Sequence, residues 1–252
     1  MMRAPASPPM RSSNPALRED VFTAIRTDGG GTMTVQGTVN KTSLLLVLAL
    51  ATATVAWVLG TAGGPGVAGW AIGASLVGLG VAIATIVRPR WSPVTAPIYA
   101  LVEGVVLGLV SMWFEAAYPG IAIQAVALTF GVLGAMLVLY TTRVIKVTQR
   151  FRTGVLAATL AIAGVYLVSL LLGLFGVRVP FLYDASPLGI LISLAIVVVA
   201  ALNLVLDFDL IERGARSGAP AYMEWYAAFG LLVTLVWLYL ELLRLLGRLR
   251  SR

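Results

Sequence analysis

The chain has 252 residues, of which 59% are hydrophobic and 12% charged, where soluble domains run at roughly 45–50% apolar and about 25% charged. So little charge cannot cover a globular surface, and the composition is that of an integral membrane protein. With no His and no Cys in the chain, Ser-His and Cys-His nucleophilic pairs, His-ligated haem, H-E-x-x-H zinc sites, disulfides and thiolate metal sites are all excluded.

Residues 1–42 are polar, rich in Pro, Ser, Thr and Gly, and read as an N-terminal tail. Within it, Asn14-Pro15 is a helix-start signal, and Leu17, Val21 and Ile25 follow at four-residue spacing. They predict either a short interfacial helix ending before Gly29-Gly30-Gly31 or an unstructured segment. Met10 is an alternative start, and a polar leader of about 40 residues is too long for the n-region of a cleavable signal peptide.

Residues 43–247 alternate apolar runs with short polar breaks. Seven spans are predicted, over 44–62, 67–87, 94–114, 120–140, 154–175, 187–211 and 222–246. Each is long enough to cross a bilayer, for which about 20 residues suffice. The breaks carry turn residues, among them Gly63-Gly64-Pro65-Gly66, Tyr118-Pro119-Gly120 and Gly218-Ala219-Pro220. Residues 248–252 form a basic C-terminal tail. The small-residue pairs Gly69–Gly73 and Gly104–Gly108 predict close helix contact.

Basic residues set the expected orientation. Arg3, Arg11, Arg18, Arg26 and Lys41 precede the first span. Arg88 and Arg90 lie in the second loop, Arg143, Lys146, Arg150 and Arg152 in the fourth, and Arg213 and Arg216 in the sixth. The other side holds Arg178 alone, a split of 13 to 1 that places the N-terminus in the cytoplasm. Arg244, Arg248, Arg250 and Arg252 break the pattern. Either the last span crosses against the rule, or it is re-entrant or broken and returns. The net charge of +7 therefore belongs to the ends of membrane segments and not to a nucleic-acid surface.

Ionisable groups inside hydrocarbon are costly and default to functional candidates. Asp207 and Asp209 are two apart, about 200° around a helix, so they form no carboxylate dyad with each other. Asp207, sharing a face with Asn203 four residues earlier, is the better candidate for the bundle interior. Asp209 shares a face with Glu212 and Arg213 and is expected at the headgroups. Ala227, Gly230, Thr234, Trp237, Glu241 and Arg244 form a stripe on the seventh span, in which Glu241 and Arg244 are spaced to pair structurally. Thr234 and Asp207 lie at matching depth. Glu103 falls near mid-membrane, where it is protonated, paired or lining water. Glu115 and Asp184 read as solvated loop acids.

Asp207-Phe-Asp-Leu-Ile-Glu212, followed by the stretch from Gly230 through Thr234 to Arg244, resembles the end of Bax inhibitor-1 family membrane proteins. Arg88-Pro-Arg-Trp-Ser-Pro-Val94, Tyr118-Pro-Gly-Ile121 with Gln124-Ala125, and Thr34-Val-Gln-Gly-Thr-Val-Asn-Lys41 look like the bacterial YccA-like branch. The resemblance runs from about Asn14 to the end. It implies an all-α bundle of seven transmembrane helices with the last near the centre, in the cell (plasma or inner) membrane. It further implies a pH-sensitive calcium leak pathway, or a regulator of cell death or membrane proteolysis. In the leak model two aspartates, one on each of the last two helices, share a proton. Asp207 matches the first, while the second falls on Thr234, which cannot ionise. Asp209 or Glu103 remain as substitutes, with no sequence ground for choosing between them.

The expected function is thus a cation leak through the bilayer, calcium being the permeant ion, with no cofactor and no enzymatic reaction. The alternative is a non-conducting regulator that binds a membrane protease or another membrane protein through its tail. An intramembrane aspartyl protease needs facing aspartates on two helices, and only the sixth span supplies any. A secondary transporter is disfavoured by the absence of a visible internal repeat. Without His, any pH sensing falls to carboxylates.

Overall fold

The computed structural model describes residues 31–63, 67–176, 184 and 186–251. The interfacial helix expected over residues 14–25 lies outside them. Seven helices follow in order: α1 (Val35–Thr61), α2 (Val67–Val87), α3 (Ser92–Ala117), α4 (Ile121–Thr141), α5 (Gln149–Leu174), α6 (Pro187–Arg216) and α7 (Met223–Arg250). A 3-10 turn, Pro89–Trp91, joins α2 to α3. Each of the seven is long and apolar enough to cross a membrane, and the chain is an all-α polytopic bundle.

Local chemistry sets the helix ends. The Thr34, Thr148 and Ser186 hydroxyls accept from the backbone N–H groups of Gly37, Phe151 and Gly189, capping α1, α5 and α6. Glu115 is not the solvated loop acid expected; its two oxygens accept from Gly120 N (2.5 Å) and Ala122 N (3.0 Å) and cap α4. Gly218, at φ 68°, ends α6 in a left-handed turn.

The helices outrun the hydropathy windows. α1 begins at Val35, so residues 35–42 belong to the first helix and not to the tail. Its first turns carry Gln36, Asn40 and Lys41, whose polarity masked the helix. At the other end, α7 continues through Arg248 and Arg250 as one uninterrupted helix. Arg250 donates to Pro119 O (2.7 Å), between α3 and α4, and Arg248 donates to Gly189 O (2.7 Å) at the start of α6. The start of α7, by contrast, lies beside the start of α1, where Met33 N donates to Ala219 O (2.7 Å) and Ala221 N to Gly31 O (2.9 Å). The last span therefore crosses fully, and the re-entrant or broken alternative is corrected. Its terminal arginines are held by backbone carbonyls on the far face.

α7 is the central pillar. Its Leu231, Leu235, Leu238 and Leu242 join one buried cluster with α4 and α6, while Ala228, Phe229, Leu232 and Val236 join another with α1 and α3. α5 is peripheral, burying only Val155 and Ser169 among its described residues. Outward-facing leucines such as Leu79 (59% exposed) and Leu170 (63% exposed) form the apolar belt that a bilayer covers. Of the two small-residue pairs, Gly104 and Gly108 meet the α1 backbone directly, whereas a Cβ at Gly69 or Gly73 would meet nothing within 4 Å. Close contact is thus made by the α3 pair and not by the α2 pair.

Candidate functional site

α6 carries Asp207 toward α7, where Thr234 is its neighbour. Thr234 also contacts Gly230 O at 3.2 Å. The second carboxylate oxygen, Oδ2, is buried without a hydrogen-bond partner. Among the described residues no Lys or Arg pairs with Asp207. A buried charge needs compensation, so an acid so placed is completed by a proton or by a cation.

Asn203 does not join this site. Its amide donates to Thr159 Oγ1 of α5 (2.8 Å) and to Val199 O (2.9 Å). Asp209 turns away as well, accepting from Arg152 (2.8 Å) and pairing with Arg213 (2.9 Å). Glu212 accepts from the Tyr140 hydroxyl and from Arg216, with Arg143 at 3.4 Å. Both acids belong to an ionic collar where α4, α5 and α6 meet at one face of the bundle. Four arginines already surround them, so neither replaces the missing second aspartate.

Glu103 is half-buried, one turn after Tyr99 on the same helix. It lines a cavity of about 510 Å³ between α2, α3, α6 and α7, whose lining does not include Asp207. Glu241 is fully buried two turns beyond Thr234 on α7. Its Oε1 accepts from the Tyr166 hydroxyl of α5 (2.6 Å) and from Arg244 (2.7 Å), and its Oε2 has no partner. Arg244 also donates to the Tyr166 hydroxyl at 3.2 Å. Among the described residues, Asp, Glu, His and Cys nowhere gather in threes to hold a metal ion. Asp207 would thus meet a passing ion alone.

One acid escaped the sequence reading. Glu224, in the first turn of α7 and 6% exposed, accepts from Thr34 N (2.7 Å), Thr34 Oγ1 (2.9 Å) and Lys41 Nζ. Its carboxylate fills the space above Gly37, where a Cβ would come within 2.2 Å of Oε1. Nothing near it in the sequence marks it, because its partners lie up to 190 positions away. Lys41→Met should leave this carboxylate without its counter-charge, held among the described residues by Thr34 alone, and cost about 1.5–3 kcal/mol. The check is the thermal unfolding midpoint of the detergent-solubilised protein; an unchanged midpoint would show that the contact adds nothing.

No curated protein matches the chain significantly. The model of the family described as "Bax inhibitor 1 like" matches residues 14–251, which include all seven helices, Asp207 and Thr234. The chain belongs to the Bax inhibitor 1 like family of multi-pass membrane proteins.

Proposed function

We propose that the protein is a passive cation leak pathway, with calcium as the permeant ion and Asp207 as the group that attracts it. The observation that carries this reading is the Asp207 carboxyl beside the central helix, buried, with one oxygen unpartnered. A lone carboxylate in a low-dielectric interior draws cations and ceases to do so once protonated. Thr234 stands where the family's leak model has a second aspartate, so two carboxylates cannot share a proton here. The pH response then follows a single protonation. The 13-to-1 distribution of basic residues orients the face bearing the α1 start toward the cytoplasm in this reading.

Purified protein in liposomes loaded with a calcium dye tests it. The wild type should leak, and over a test range of about pH 5 to 8 the flux should fall as the pH is lowered and Asp207 takes up one proton. Asp207→Asn should remove that dependence and reduce flux. Absence of flux at every pH in the range would sink the proposal.

A second reading, a regulator that binds another membrane protein, draws on the strap of residues 31–33. The strap hydrogen-bonds to the turn between α6 and α7, so force on the tail would reach the central helix. Crosslinking with and without residues 1–30 separates the two readings.

A further inference from the structure

Glu103 is not used by the leak reading, yet its surroundings have a chemistry of their own. It lies eleven residues into α3, about 16 Å along at 1.5 Å per residue, and so near mid-membrane. The cavity it lines is about 510 Å³, within the roughly 300–1,000 Å³ of drug-sized ligand sites. Among the described residues Glu103 is the one charged group on its walls, and none of them brings a basic side chain to neutralise it. Three aromatic rings stand beside it. Tyr99 and Phe229 meet edge-to-face with centroids 5.0 Å apart, and Tyr226 is 6.5 Å from Phe229.

A small metal ion fits this cavity poorly. Such ions take about six or more oxygen ligands or keep their water. The walls supply one carboxylate, two tyrosine hydroxyls and Ser75, and the Ser75 hydroxyl donates to Ala71 O (2.8 Å). A cation whose charge is spread over apolar groups needs less: one opposite charge, aromatic faces and hydrocarbon walls. The approach is also apolar, since Leu79 and Ile86 of α2 and Leu210 of α6 border the cavity and are exposed to the bilayer side. Lipophilic cations concentrate in that environment.

We infer that the cavity between α2, α3, α6 and α7 is a binding site for a lipophilic organic monocation, with Glu103 as counter-ion and Tyr99, Tyr226 and Phe229 as aromatic walls. The site is separate from Asp207 and does not depend on the leak reading.

The probe is tetraphenylphosphonium, measured by equilibrium dialysis against the full-length protein in nanodiscs. Saturable binding of one cation per chain is expected. Glu103→Gln should weaken it by about tenfold or more, through loss of the only opposite charge. Phe229→Leu should weaken it by about fivefold, and Asp207→Asn should leave it unchanged. Triphenylphosphine oxide, neutral and of similar size, should not compete. Ala82→Trp fills the cavity from α2 while leaving the acid in place, and should abolish binding even where Glu103→Gln fails to fold. Equal binding to wild type and Ala82→Trp, or competition by the neutral analogue, would overturn the inference and leave the cavity as a slot for lipid acyl chains.

Discussion

Gly108→Leu is expected to yield no folded protein. A Cβ at Gly108 would lie 2.2 Å from Ala53 O and 2.9 Å from Ala53 Cα, and both are backbone atoms with no rotamer to change. One turn earlier, a Cβ at Gly104 would lie 2.3 Å from Ala49 O. α3 thus rests directly on the backbone of α1, and even one methyl group forces the helices apart. Overpacking costs about 1–3 kcal/mol per site and occasionally more, against a total stability of about 5–15 kcal/mol. Gly104→Ala/Gly108→Ala should therefore lower the unfolding midpoint sharply, and leucine should exceed what the bundle tolerates. Gly73→Ala is the contrast, because its Cβ meets nothing within 4 Å and alanine favours helix by up to about 1 kcal/mol. Monodispersity on size exclusion and tryptophan-detected unfolding provide the readout. A stable Gly108→Leu protein would show that α1 and α3 do not pack as described.

Arg244→Met should be the most damaging charge substitution in the bundle. It leaves the fully buried Glu241 carboxylate with the Tyr166 hydroxyl as its remaining described partner. Breaking a buried pair from one side costs about 3–5 kcal/mol, and the lower end applies because the Arg244 side chain is 43% exposed. Removing the whole cluster behaves differently. Tyr166→Phe/Glu241→Leu/Arg244→Met leaves no charge stranded, so its stability should return to near that of the wild type. Chemical denaturation of the three single variants and the triple variant separates the cases. A triple variant as unstable as Arg244→Met would mean that the loss lies in packing and not in an unpaired charge.

The seven helices were legible because an apolar run of about 20 residues has one stable solution in a bilayer. Their ends were less so. Lys41 reads as a loop residue until Glu224, 183 positions later, turns the first turns of α1 into part of the core. The pairing of Glu241 with Arg244 was readable, since both lie on one face three residues apart, but Tyr166 was not, because nothing local ties α5 to α7. Asn203 misled for the opposite reason. It shares a face with Asp207, yet helix periodicity does not say which neighbour that face meets, and Thr159 takes the amide. The Asp207–Thr234 contact was visible as equal depth on two adjacent helices and, through the family resemblance, as a matched pair of positions.

α7 follows the other six helices in the chain, and it fills the centre of the bundle. Until it emerges, the six earlier helices surround a vacant axis. Lys41 lacks Glu224, the Asp207 carboxyl lacks Thr234, and the faces of α4 and α6 that meet α7 are uncovered. Assembly is therefore completed late: α3 can already pack on α1, but the core of both buried clusters is filled only when α7 arrives. Docking of Arg248 and Arg250 on the far face closes the sequence. A nascent chain stalled before that point keeps the α1–α3 contact but lacks the helix that joins the two buried clusters, so premature termination and completed synthesis leave the membrane with different products.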